Sequence, residues 1–199
     1  MKKVRVLFAA ATLAVIAGLL FTAGTGAQPD AKVKAEVEKI VDAVTKGDFD
    51  GGRKIAEALA KTKGGDPLEA LEELGAMDLF KKKDKGGWGF GSGPKETDGI
   101  EVKLREVARD GVSPANAKKD AKLFELMANR IAAVNLVAEA LSPKKDKGQA
   151  KVKNYHQYTQ DMLEGAKSLA KAKGAEEIKK AVTKVNNSCN SCHSEWRNK

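Results

Sequence analysis

The sequence predicts an all-α fold: an antiparallel four-helix bundle with extra N-terminal helices and an ordered glycine-rich loop. Three observations predict it. Aromatic residues make up 5% of the 199-residue chain. Ala, Leu, Val, Lys and Glu fill its long segments, a balance that favours helices over sheets. Through the C-terminal half, apolar residues recur at alternating spacings of three and four. The three seams so marked are joined by short connections, which makes them antiparallel neighbours.

Residues 1–27 read as an export signal rather than as part of the fold. Lys2, Lys3 and Arg5 form a basic start, residues 6–21 carry no charge, and Thr25-Gly26-Ala27 fits a cleavage site before Gln28. A retained anchor is the rival reading. The run is slightly short for a full span and ends in small residues, which favours cleavage. The product is one helical domain, residues 28–199. Of these, 28–99 supply N-terminal helices and a loop, and 100–199 supply the core.

The net charge is +9. Loss of three basic residues with the signal leaves about +6. Local clusters occur at 81–85 and 144–147. They read as solvated helix ends and loops, or as attraction to a redox partner with an acidic surface. Export and the absence of interleaved aromatics argue against nucleic-acid binding, and a cleaved signal leaves nothing inserted in a membrane.

The elements follow in order. Residues 30–45 carry Val33, Val37, Ile40 and Val44 on one helical face. Residues 47–52 interrupt, and 53–62 form a short helix with Ile55 and Leu59. Asp66-Pro67 is an N-cap followed by proline at the first helical position. The helix it opens, 66–83, carries Leu68, Leu71, Leu74, Met77 and Phe80. Residues 85–98 alternate glycines with Trp88 and Phe90. No regular helix survives that composition, so they are expected to form an ordered loop anchored by the two aromatics. A short helix, 100–109, ends at Gly111. Ser113-Pro114 opens the longest helix, to about residue 141, with Phe124, Met127, Ile131, Val134, Ala138 and Leu141 in its seam. Residues 147–173 repeat the pattern through Val152, Tyr155, Thr159, Met162, Ala166 and Leu169. The last helix, 175–197, carries Ile178, Val182, Val185, Cys189, Cys192 and Trp196. The fourth bundle helix must come from the N-terminal half, with 66–83 and 30–45 as candidates.

Both cysteines of the chain lie in Cys189-Asn190-Ser191-Cys192-His193. This C-x-x-C-H pentapeptide is the attachment motif of a c-type haem: each thiol can add to a vinyl group, and the imidazole can bind the iron. Residues three and four apart on a helix share a face, so Cys189, Cys192 and His193 point together into the bundle. No second Cys–His set exists upstream, and one covalent haem c with its iron is expected. A thioredoxin-like dithiol would sit at a helix start after a strand. A zinc site would need a fourth ligand, with distant His156 the remaining histidine. A structural disulfide would leave His193 without a role.

The segment Cys189–Arg197 resembles the C-terminal signature of class II c-type cytochromes, the cytochrome c prime-like family and its low-spin relatives. The match extends over roughly residues 113–197, and Met77-Asp78-Leu79-Phe80-Lys81 with the loop after it resembles bacterial cytochrome-like proteins of the group more weakly. The resemblance implies an exported, periplasmic four-helix bundle with His193 as proximal ligand and Arg197 beside it tuning its environment; a solvated helix-end arginine is the alternative. It implies that a helix ahead of the motif supplies either a methionine or an apolar group opposite the iron. Met77 is the candidate sixth ligand. Met127 and Met162 sit within seams as core residues, and His156 is the remaining candidate. A methionine-ligated iron gives a one-electron carrier; an open iron gives a binder of NO or CO. A haem-free thiol-disulfide protein is the third reading. No catalytic acid, base or nucleophile stands out, so the chain is not read as an enzyme. Relatives often dimerise through a bundle face.

Overall fold

Every regular element among the described residues is helical. The computed structural model describes residues 31–63, 67–91 and 98–197; the signal-like segment 1–27 lies outside them. Among the described residues, no helix is long and apolar enough to cross a membrane.

Helix α1 (Ala31–Thr45) buries Val33, Val37, Ile40, Val41 and Val44, the expected face. Helix α2 (Phe49–Ala60) starts earlier than expected. Asp48 caps it, its carboxylate accepting from the Gly51 N–H at 2.8 Å. The glycines at 51 and 52, expected as a break, lie inside the helix. A Cβ at Gly52 would come within 3.2 Å of the Leu136 side chain, so this glycine marks a close helix contact.

Helix α3 (Pro67–Glu73) is much shorter than the expected 66–83. Gly75 ends it in the left-handed region, φ 64°. The Ala76 N–H bonds the Leu71 carbonyl at 3.2 Å and the Gly75 N–H bonds the Glu72 carbonyl at 2.9 Å, the paired bonds that close a helix on a glycine. Met77–Phe80 then forms a separate 3-10 turn.

Residues 85–91 of the glycine-aromatic segment fold back onto the helices, and 92–97 lie outside the described residues. Trp88 is 3% exposed; its indole N–H donates to Glu38 of α1 at 2.5 Å. Its ring lies 5.2 Å from the Arg130 guanidinium. Phe90 packs at 5.2 Å on Phe124. A Cβ at Gly87 would collide with the Lys81 carbonyl, so only glycine admits this backbone crossing.

Helix α4 (Ile100–Asp110) buries Ile100, Leu104 and Val107. The expected long helix is two. Helix α5 (Pro114–Lys119), capped by Ser113, is separated from α6 (Ala121–Ala140) by Asp120 at ψ 13°. Helices α7 (Val152–Lys171) and α8 (Ala175–Cys192) follow, and α8 runs into a π-helical turn, His193–Arg197. Helix α7 lies between α6 and α8, packing on both. Helices α1 and α2 cover α6, and α4 packs on α8. The helix along the other side of α8 is therefore neither expected candidate. The 66–83 segment stops at Gly75, and α1 is engaged with α2 and α6.

A cleft between two walls

The C-x-x-C-H residues line a cleft of about 510 Å³, within the size range of cofactor sites. One wall is the end of α8 with the facing turns of α7. The other is built from α3, the Met77–Phe80 turn and α4. Helix α6 closes the interior with Val134, Asn135 and Ala138.

On the first wall, Cys189 is partly buried against the main apolar core, its sulfur 3.9 Å from that of Met162. Cys192 packs against a smaller cluster of Ala150, Tyr155 and Trp196, in which the Tyr155 and Trp196 rings meet edge to face at 5.6 Å. Burial pushes the Cys189 thiol up to about 12 and the Cys192 thiol up to about 11. Both are therefore neutral thiols at neutral pH. A dithiol oxidoreductase needs the opposite shift. Burial also lowers the His193 pKa, and the Arg197 charge lowers it further, which keeps the imidazole in its neutral, ligating form. Among the described residues, no group of three or more His, Cys, Asp or Glu side chains is arranged to hold a metal ion.

The π turn is fixed by Glu195. Its carboxylate accepts from the Lys151 N–H at 2.8 Å, from Asn154 Nδ2 at 3.0 Å and from the Tyr158 hydroxyl at 2.6 Å. The hydrogen bond to Glu195 raises the Tyr158 pKa to about 12. This clamp, missed in the sequence, ties the end of the chain to the start of α7. Arg197 is exposed, forms an ion pair with Glu72 of α3 at 3.5 Å, and lines the cleft beside His193.

Met77 and Phe80 both reach the cleft, as does Met162; Met127 is buried in the core away from it. His156 does not reach it. That side chain is exposed, with Nε2 3.4 Å from the Ser142 hydroxyl. Asn135 escaped sequence reasoning altogether. It is 0% exposed, and both Oδ1 and Nδ2 lack a hydrogen-bond partner. The available signal was one uncharged polar residue inside the apolar run 131–138.

A second groove, about 950 Å³, is larger but has neither a cysteine nor a histidine. Lys61, Lys63, Lys144, Lys145 and Lys147 line it beside Trp196. Glu57 and Asp146 also line it, and its relevance is the excess of positive charge next to the motif.

No family model matches the chain, and no curated protein or solved structure matches it.

Proposed function

We propose that the protein is an exported, periplasmic monohaem c-type cytochrome of the class II kind, carrying single electrons. The observation that supports this most is the placement of Cys189, Cys192 and His193 together on one wall of one largely apolar cleft. The residues fit the group. Two neutral thiols are positioned for thioether anchors, the imidazole beside them is desolvated and neutral, and Leu71, Phe80, Leu104 and Val134 offer apolar surface for a macrocycle. When bound, the haem supplies the one-electron chemistry of its iron.

The chain's part is to hold, bury and tune. Cys189 and Cys192 would hold the haem covalently, and His193 would ligate its iron. Arg197, ion-paired to Glu72, lines the cleft with His193 and would tune the environment of the iron. Met77 is the proposed sixth ligand. Helices α4, α6, α7 and α8 are read as the four-helix core, with α1 and α2 as the N-terminal addition. The lysine groove beside Trp196 is the proposed face for an acidic redox partner, steering encounter in a salt-dependent way.

The open-iron reading, a binder of NO or CO, is favoured by one observation: Asn135, whose two side-chain polar atoms are buried and unpartnered, is part of the cleft lining. The visible spectrum of the reduced protein, with and without carbon monoxide, decides between these readings. A low-spin spectrum indifferent to carbon monoxide supports the carrier; a carbon monoxide complex supports the open site. Protein made with haem-maturation machinery that still lacked covalent haem would sink both. If Met77→Ala leaves a low-spin spectrum unchanged, Met77 is not the ligand.

A further inference from the structure

The Asn135 carboxamide is fully enclosed, yet neither end is paired. Leaving one buried polar atom unsatisfied costs about 1–3 kcal/mol, and native folds rarely keep both ends of an amide so. Two hydroxyls in the lining give their protons elsewhere: Thr159 donates to the His156 carbonyl at 3.0 Å and Tyr155 donates to the Ala138 carbonyl at 2.9 Å. Asn135 lines the cleft, so the cleft is where its partner would be.

Cross-helix contacts fix its level. Tyr155 of α7 meets Ala138 of α6 on one side and Trp196 on the other. Two turns further along α7, Met162 meets Cys189. The antiparallel turn between these rungs brings Asn135, Thr159 and Cys192-His193 to one height. Helices α6 and α8 both pack on α7, with the cleft between them. Asn135 therefore stands on the interior side of the cleft at the height of His193.

We propose that Asn135 is a binding residue for the sixth position: its Nδ2–H donates a hydrogen bond to a small ligand with an acceptor lone pair, such as water or a diatomic gas, held opposite His193. This rests on the haem reading above. Oδ1 is free to accept from a second water in the same pocket, which accounts for both orphaned atoms. The geometry gives the fold a polar contact at one point of an otherwise apolar wall.

The test uses the full-length holoprotein carrying Met77→Ala, so that the sixth position is open under either reading, with carbon monoxide as probe. A donor to the bound oxygen lowers the C–O stretching frequency. Adding Asn135→Leu should raise that frequency and speed carbon monoxide release about five- to tenfold, the effect of one hydrogen bond. Adding Val137→Ala instead, a buried α6 residue outside the cleft lining, should leave the frequency in place. An unchanged frequency in the Asn135→Leu protein, or an equal shift in the Val137→Ala protein, overturns the proposal. Urea unfolding of the haem-free chain separates a structural role. Asn135→Leu should not destabilise it, because an orphaned pair of polar atoms is removed. Loss of stability with no frequency shift would assign Asn135 to a trapped structural water. Failure to attach haem at all would strike the haem reading itself, and is distinguishable because no spectrum could be recorded.

Discussion

The two walls of the cleft are built by opposite means. The α7–α8 wall is two long helices in register, and its one irregular turn is held by a single carboxylate with three donors. The opposing wall is short helices and turns. Its shape comes from Gly75 stopping α3, Gly87 admitting a backbone crossing, and Trp88 pinned between Glu38 and Arg130. On the first wall the chemistry-bearing residues follow from helical periodicity; on the second, position comes from contacts far apart in sequence. The difference teaches that a ligand set can be legible while the surface facing it is not.

Several substitutions would break or sharpen this contrast. The largest effect belongs to the first wall. Replacing Cys189 and Cys192 together with alanine should abolish covalent haem attachment completely, read as haem lost from the denatured protein. Retention would place the attachment elsewhere. Next comes the anchor of the second wall. Trp88→Ala removes a buried ring and should cost about 3–5 kcal/mol in urea unfolding. A cost below about 1 kcal/mol would mean that the loop does not brace this wall. Gly87→Ala should cost about 2–3 kcal/mol by forcing the backbone off the Lys81 carbonyl, and should disturb the spectrum of bound haem more than its attachment. The smallest effect returns to the first wall. Glu195→Gln should bring the Tyr158 titration back from about 12 toward the ordinary value of 10.0, followed by ultraviolet absorbance of tyrosinate. The sign is set by a folded-state pKa above the unfolded one. The hydrogen bond's contribution is present below pH 10 and is lost as pH rises toward about 12, so the parent should lose stability in that window and the variant should not.

The same contrast decides what could be read beforehand. The stripe of α8 through Ile178, Val182 and Val185 led directly to the two cysteines, because burial follows helical spacing. The start of α2 was missed because Gly51 and Gly52 have low helix propensity, yet Asp48 caps them and Gly52 lets α2 approach Leu136 closely. The break at Asp120 interrupts a pattern that periodicity alone continues. The place of α4 against α8 was out of reach, since Ile100, Leu104 and Val107 mark a buried face without saying what covers it. Glu195 lies off the apolar stripe of α8, and Asn135 is a polar residue inside an apolar run. Their roles depend on groups 37 or more residues away for Glu195, and on a cavity wall for Asn135.

The small cluster of Ala150, Tyr155 and Trp196 has one more consequence, for the order in which the chain closes. Cys189, partly buried, packs against the main core, whereas Cys192, also partly buried, packs against this satellite. Regions with few apolar contacts open at lower free energy than the core beside them. The last turn can therefore swing away as a unit, exposing Cys192 while Cys189 stays covered. In the haem-free chain an alkylating reagent should mark Cys192 first, and equal labelling would show that the two thiols share one cooperative unit. An end that opens on its own gives a covalent modification a way in without unfolding the rest.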